Sequence, residues 1–444
     1  MAFDIVDAAA TLIEQKCVND PQRGLKPPRS CAEAVATLMR EAGMDPRIYE
    51  RGGYYSVVHS EGEGEPHVML LAHFDVVPAG PGWTRDPFKA QLEGDRLYGR
   101  GALDDLSNVA AIVHAYTMFS GKLEGAQLTV AFTGDEEVGG RNGAAMLRDM
   151  LRREGRLPSF LINGDGYGMV VINRRRNTFN VTLEAEAKKV KVDGRVERRT
   201  YKLDSRKYHS AYFIAGGDVH PLLRLARDVL YDNLSVVELG GSFVKSNVLP
   251  MYVDAALAVP EERGGSVEAD AGLTELVRAL IPATRVLVEA DFPSIFGLTA
   301  TPNVYTYSNG LHRITVNVRA PLTSPEKLEA SLKEVLGEFE GVSFSVSGGS
   351  GYLYTSRSST IVGSALKVLE RLGVASRVGE AAGASDSRYF SPLGVEAIDF
   401  GPLGDNAHGP DEYVVVPSLY KVAEFYSTLV LELAERKGGG EAGS

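Results

Sequence analysis

Three carboxylates in a row, Asp135, Glu136 and Glu137, follow the apolar run of LTVAFTGDEEVGG at residues 128–140. Adjacent acids repel one another and are costly to desolvate, so the pattern calls for positive charge nearby. His73 and Asp75 stand two apart in LLAHFDVV, and in a strand both face the same side. An imidazole and a carboxylate so placed suit a metal ligand and the acid that orients it. Asp104 and Asp105 follow the glycines of GRGALDD, Asp165 follows the apolar FLIN, and His408 lies in GPLGDNAHGPDEY. Each has a plainer reading when taken alone: a core histidine, a helix-capping aspartate, an Asp-Gly turn, an exposed loop histidine. Taken together, every one falls at the end of a predicted strand or in the loop after it, where open α/β sheets collect their ligands. Imidazoles and carboxylates without a thiolate suit zinc or cobalt in mixed nitrogen and oxygen ligation.

The elements that must hold these residues can be read from periodicity. Apolar residues at three- and four-residue spacing predict helices over Asp4 to Lys16 and Ser30 to Glu41, the second with Ser30 as N-cap. GGYYSVVHS, PHVMLLAHFDVV and Leu128 to Thr133 read as strands, with helices over Asp105 to Phe119 and Asn142 to Arg153. Strands and helices alternating in this way imply a largely parallel sheet covered on both faces. After about Ile172 the texture changes. NTFNVTLEAEAKKVKVDGRVERRTYKLD alternates strongly, with Asp193-Gly194 as a hairpin turn and the basic run Lys188 to Arg199 as its solvated face. A helix from Val219 to Leu230 comes next. Two blocks then each read as Asn-Val, strand, helix, strand, one from Asn247 to Ala290 and one from Asn303 to Gly348, a pattern expected of a diverged internal repeat. From about Tyr352 the α/β pattern resumes, ending in a helix from Ser418 to Arg436. The expected fold is therefore α/β: a discontinuous domain of residues 1–172 and 352–444 with a largely parallel sheet, and an inserted α+β domain of residues 173–351. The tail KGGGEAGS is expected to be disordered.

Composition narrows the class of partner. A net charge of −11 over 444 residues argues against nucleic acid, which needs a basic footprint. No apolar run approaches the roughly 18 residues that span a bilayer, and the acidic, amphipathic N-terminus is unlike a secretory signal. The expectation is a cytoplasmic protein without a membrane partner. Cys17 and Cys31 lie on the apolar faces of predicted helices and are expected to be buried thiols rather than a disulfide framework.

In their order, HFDVVPAGPGW, DPF, LYGRGALDD, TGDEEVGG, HSA, ASDSR and AHGPDEY resemble the M20 metallopeptidases. That family includes succinyl-diaminopimelate desuccinylase, acetylornithine deacetylase, aminoacylase, glutamate carboxypeptidase and certain dipeptidases. The resemblance covers nearly the whole chain. It implies two divalent metal ions, zinc or cobalt, bridged by Asp104. His73 and Asp165 would complete one metal site, Glu137 and His408 the other. Glu136 would be the general base, and Asp75 would hold His73. His209, in HSA, matches the insert-domain histidine that binds the oxyanion. Arg388, in ASDSR, matches the position that receives the substrate carboxylate. Asn303, in TPNVY, matches a lid asparagine near the substrate, a place for which Asn247 in SNVLP competes. Leu106-Ser107 stand where the family commonly has Lys-Gly. The Glu-Pro-Thr of the desuccinylase and deacetylase branches is absent, and Asp165 takes the place of its Glu, nearer to the dipeptidase and aminoacylase branches. The implied activity is metal-dependent hydrolysis of an amide in a small N-acyl amino acid or short peptide with a free carboxylate; the alternative is a non-catalytic M20-like scaffold that binds metabolites or partners. The enlarged insert resembles that of the dipeptidase branch and implies a monomer in which His209 acts within its own chain, by hinge motion near Asn173 and Gly351, with a homodimer as the alternative. The remaining histidines, His59, His67, His114, His220 and His312, match no motif and are expected to be structural.

Overall fold

The structure, a computed structural model, describes residues 3–205, 208–261, 264–349 and 351–435. The tail expected to be disordered lies outside them, as does Arg436 at the end of the last expected helix. The chain divides into two compact units. One comprises Met1–Arg175, Leu353–Ala381 and Ser385–Ser444, the other Arg176–Tyr352 and Ala382–Ala384.

The first unit begins with helices α1 (Ile5–Glu14) and α2 (Arg29–Glu41) and strands β1 (Arg47–Arg51), β2 (Tyr54–Glu61) and β3 (His67–His73). Helix α3 (Leu106–Phe119), strand β4 (Gln127–Thr133), helix α4 (Ala144–Arg153) and strands β5 (Phe160–Asn163) and β6 (Val171–Arg175) follow. The last part supplies β7 (Leu353–Tyr354), α5 (Thr360–Arg371), β8 (Val378–Ala381), β9 (Glu396–Asp399) and α6 (Val416–Ala434). The main sheet has the order β1-β2-β4-β3-β5-β9-β6-β7, with β8 pairing on β6. Its centre, β4, β3, β5 and β9, is parallel. All seven residues of β3 are buried, because the sheet is covered on both faces. Val68, Leu70 and Ala72 point into the core shared with α1, α2, α3, α5 and α6. Met69 and Leu71, one step out of phase, meet Leu147 and Leu151 of α4 on the other face. Burying a Leu or Val side chain contributes about 1.5–3 kcal/mol, which secures the register of the strand that ends at His73.

Local chemistry sets the helix ends. Asp4 caps α1 through Val6 and Asp7 N–H, and Ser359 caps α5 through Val362 N–H. Ser30 is not the cap of α2: the helix begins one residue earlier, after Pro28, which fixes the entry without a side-chain bond. Cys17 and Cys31 are not separate thiols either. They form a disulfide with Cα atoms 5.9 Å apart. The chain leaving α1 runs beside the first turn of α2, within the range a bridge requires.

The second unit holds two antiparallel four-stranded sheets over one apolar core. One orders Ser235–Gly241, Tyr252–Val259, Lys189–Lys202 and Gly265–Asp270; the other orders Thr299–Ser308, Leu311–Ala320, Asn177–Glu186 and Val342–Gly348. Asp193-Gly194 does not turn a hairpin. The strand Lys189–Lys202 runs straight through it, pairing with Gly265–Asp270 up to Gly194 and with Tyr252–Val259 beyond. A Cβ on Gly194 would lie 2.3 Å from Val259 O, so the glycine is there to let the backbones approach where the strand changes partner. The basic run lies on this strand. The repeat is incomplete: after helix Ala271–Thr284 the expected strand at residues 286–290 is irregular. Val286 turns into the core while Leu287 stands 92% exposed, and neither sheet pairs with the segment.

Candidate metal centre

The carboxyl ends of adjacent parallel strands deliver the site. His73 ends β3, Asp135 to Glu137 follow β4, and Asp165 follows β5. Asp104 comes from the loop before α3, and His408 from the loop after β9. His408 has a backbone φ of 63°, an uncommon left-handed conformation for a residue with a side chain.

Asp104 is the centre of the arrangement. Its Oδ1 lies 3.0 Å from His73 Nε2 and its Oδ2 lies 3.1 Å from His408 Nε2. His408 Nε2 is also 3.0 Å from Glu137 Oε1. Ligand atoms of His73, Asp104 and Glu137 all fall within 4.8 Å of one another, as do those of His73, Glu136 and Asp165. The structure thus brings together all five residues expected to hold metal, with Glu136 among them.

Charge in this cluster is poised for cations. Burial opposes protonation of His73, but the hydrogen bonds it donates to Asp104 and Asp75 outweigh it and hold the imidazole well above its usual range. The charge of Glu137 does the same for His408 against burial. Burial pushes Glu137 up to about 7, against the pull of His408. It also raises Asp165 well above the carboxylate range, against Arg175. In this picture the imidazolium protons stand in for positive ions. A divalent cation would keep the acids ionised and the histidines neutral, reversing each shift. The donor set of imidazole nitrogen and carboxylate oxygen fits zinc or a similar ion.

Further residues hold the cluster in place. Asp75 is fully buried, and its carboxylate accepts the N–H of Glu136 at 3.1 Å and of Glu137 at 3.2 Å. His73 Nδ1 lies 3.0 Å from the backbone oxygen of Asp75 and 3.4 Å from its Oδ1, so Asp75 fixes both the imidazole and the acidic turn. Gly140 closes that turn with φ of 64°, and a Cβ there would lie 2.1 Å from Asp386 Oδ1. Glu412, fully buried, accepts the N–H groups of Leu103 (2.9 Å) and Asp104 (3.0 Å) on one oxygen. Its other oxygen accepts from Gly101 N–H at 3.1 Å and Arg100 at 2.5 Å. Arg175 pairs with Asp165 at 3.2 Å and with Asp399 at 2.5 Å. None of Arg100, Glu412, Arg175 and Asp399 was singled out from the sequence. Arg100 and Glu412 lie inside LYGRGALDD and AHGPDEY, which was a usable signal; Arg175 and Asp399 carried none.

Arg388 is 8% exposed. Its NH2 lies 3.8 Å from Glu136 Oε1 and 3.7 Å from Asp386 Oδ1, and neither Nε nor NH2 makes a hydrogen bond among the described residues. His209 and Asn303 belong to the second unit. His209 Nδ1 accepts the Ala211 N–H at 3.1 Å, and its Nε2 lies 3.2 Å from Asn247 Nδ2. Asn303 is fully buried. Its amide donates to Ser246 O and Thr301 Oγ1, and its oxygen meets His220 Nε2.

A model described as Peptidase family M20/M25/M40 matches residues 69–432. A succinyl-diaminopimelate desuccinylase from Xanthomonas euvesicatoria pv. vesicatoria (strain 85-10) is 25% identical over 440 residues, covering 97% of this chain and 99% of that one. Among solved structures, aminoacylhistidine dipeptidase from Vibrio alginolyticus superposes with a TM-score of 0.70 at 16% identity, over 96% of each chain. The M20 family metallo-carboxypeptidase Sso-CP2 from Sulfolobus solfataricus gives a TM-score of 0.61 at 18% identity, over 97% of this chain and 99% of the other.

Proposed function

The chain belongs to peptidase family M20/M25/M40, and from that premise we propose that it is a zinc-dependent hydrolase of the amide bond in a small N-acyl amino acid or short peptide bearing a free carboxylate. One observation carries the reading: Asp104 offers each of its carboxylate oxygens to a different imidazole, His73 and His408, as a ligand shared between two cations would. The desuccinylase and dipeptidase names of its relatives support the substrate class.

His73, Asp104 and Asp165 would hold one ion, and Asp104, Glu137 and His408 the other. Bound there, divalent ions supply a Lewis acid for the amide carbonyl and lower the pKa of a water. Glu136 accepts the proton of the attacking water and passes it to the leaving amine nitrogen as the C–N bond breaks. Asp75 keeps His73 and the Glu136 backbone in register for that transfer. Arg388, with buried N–H groups to spare, receives the substrate carboxylate in bidentate geometry. His209 donates an imidazole N–H to the oxyanion of the tetrahedral intermediate, a contact typically worth about 2.7–4 kcal/mol.

The test is a panel of N-acetyl amino acids, N-succinyl amino acids and dipeptides, assayed with zinc or cobalt and after chelation. Hydrolysis of one class that stops on chelation is expected. No turnover of any member with either metal would overturn the reading in favour of a binding scaffold.

A further inference from the structure

The acidic turn that carries Glu136 and Glu137 is held by Asp75, and Asp75 is itself held from outside the sheet. Asn19 is 2% exposed, and its Nδ2 donates to Asp75 Oδ2 at 2.8 Å. It shares that carboxylate with the N–H groups of Glu136 and Glu137 and with His73 Nδ1, 3.4 Å from Oδ1. The backbone around Asn19 grips the same point. Asn19 N–H donates to Val76 O at 2.9 Å, Val76 N–H donates to Cys17 O at 3.0 Å, and Val18 bridges Val76 in parallel. The segment therefore adds a short rung beyond the end of β3, beside Asp75. Two residues before Asn19, Cys17 is bonded to Cys31, in a helix whose Val35, Ala36 and Met39 are fully buried.

We propose that Asn19 is a positioning residue for the Glu136–Glu137 turn, acting through Asp75, and that the Cys17–Cys31 disulfide anchors it. The chain between α1 and α2 holds only a three-residue 3-10 turn, Pro21–Arg23, and isolated bridges, so the bond to α2 helps fix where Asn19 stands. The Asn19 amide fixes the rotation of the Asp75 carboxylate, and that carboxylate fixes two consecutive backbone N–H groups of the turn. The functional part of this inference rests on the reading of Glu136 as the base.

The experiment compares wild type, Asn19→Leu, Asn19→Ser and the double variant Cys17→Ser/Cys31→Ser. Three quantities are read: amide hydrogen exchange by mass spectrometry, cobalt binding by calorimetry, and kcat and KM on the substrate found in the panel. Losing an outer partner of a metal site typically costs about 10–100-fold in affinity or activity. In Asn19→Leu, kcat and cobalt affinity are expected to fall by that order with KM little changed. Exchange at Glu136 and Glu137 should accelerate while Leu70 to Ala72 of β3 keep the wild-type rate. The double cysteine variant should show the same pattern more weakly. Asn19→Ser keeps the backbone bonds and removes the amide, so it gives the same reading should Asn19→Leu not fold. Wild-type exchange at the turn in the Asn19 variants, or uniform loosening with kcat per folded molecule unchanged, would overturn the proposal. A wild-type enzyme inactive on the whole panel would sink the functional reading instead, and the exchange data would still judge Asn19.

Discussion

Replacing Glu412 by Gln tests whether the loop of Asp104 is held from the far end of the chain. Glu412 takes four donors: Leu103 and Asp104 N–H on one oxygen, Gly101 N–H and Arg100 on the other. Glutamine keeps one acceptor oxygen and turns an NH2 toward two donors. Arg100, 1% exposed, then retains only the backbone oxygens of Pro78 and Ala79 and the face of Trp83. Breaking a buried ion pair on one side costs about 3–5 kcal/mol, and the lost backbone bonds are part of that figure rather than additions to it. At about 2–4 °C per kcal/mol for a domain of roughly 150–250 residues, the first unit should melt roughly 6–20 °C lower. Calorimetry in the presence of a chelator measures this without a contribution from bound cations. The double variant Arg100→Met/Glu412→Leu removes both buried charges but leaves the N–H groups of Gly101, Leu103 and Asp104 without this acceptor, so it should recover only part of the stability. It should not recover cobalt affinity, because the Asp104 loop stays unheld. A Tm shift below about 2 °C in Glu412→Gln, or wild-type cobalt binding by the double variant, would refute the argument.

Glu136→Gln should lower kcat by about 10²–10⁴-fold with cation content unchanged, whereas Glu137→Gln should lose cation; the opposite pattern would exchange their roles. Elemental analysis of Asp104→Ala should show loss at both sites, and full occupancy would remove Asp104 from the shared position. Burial holds His67 and His220 down at about 4, one in each unit. The unfolded chain takes up their protons near the ordinary value of 6.5, so stability is complete above pH 6.5 and is lost as pH falls toward 4, by about 3 kcal/mol for each histidine. Urea melts between pH 7 and 4 should show a shallower loss in His67→Gln and His220→Gln, and an unchanged slope would show that these histidines are not the source. Mixing inactive Glu136→Gln chains with inactive His209→Ala chains should give no activity when His209 serves its own chain; recovery would show sharing between subunits.

What could be read before the structure were the features with local causes. β3 and β4 announced themselves as largely apolar stretches, the second read from Leu128 to Thr133, because both of their faces are buried. The acids and histidines at their ends could be placed because strand ends are where such sheets bind ligands. What could not be read depends on contacts distant in sequence. Glycine at 194 looked like a turn, yet only the close approach of Val259 explains it. A disulfide depends on how the end of α1 meets α2, and two cysteines in a long chain do not reveal that. Arg175 with Asp399, and Asn19 with Asp75, pair residues whose partners periodicity cannot name.

The position of β9 has a consequence for how this protein comes into being. β9 lies between β5 and β6, paired to both, yet the entire inserted unit is translated between β6 and β9. On the ribosome, β5 and β6 wait with unfilled edges while the insert, whose strands all lie within Arg176–Tyr352, can already close its core. His408 is translated only after β9. The candidate metal cluster is therefore incomplete in the nascent chain until the stretch carrying His408 has emerged, after β9. A chain truncated before β9 would leave a β-strand slot open inside the main sheet, where exposed edges invite pairing with other chains.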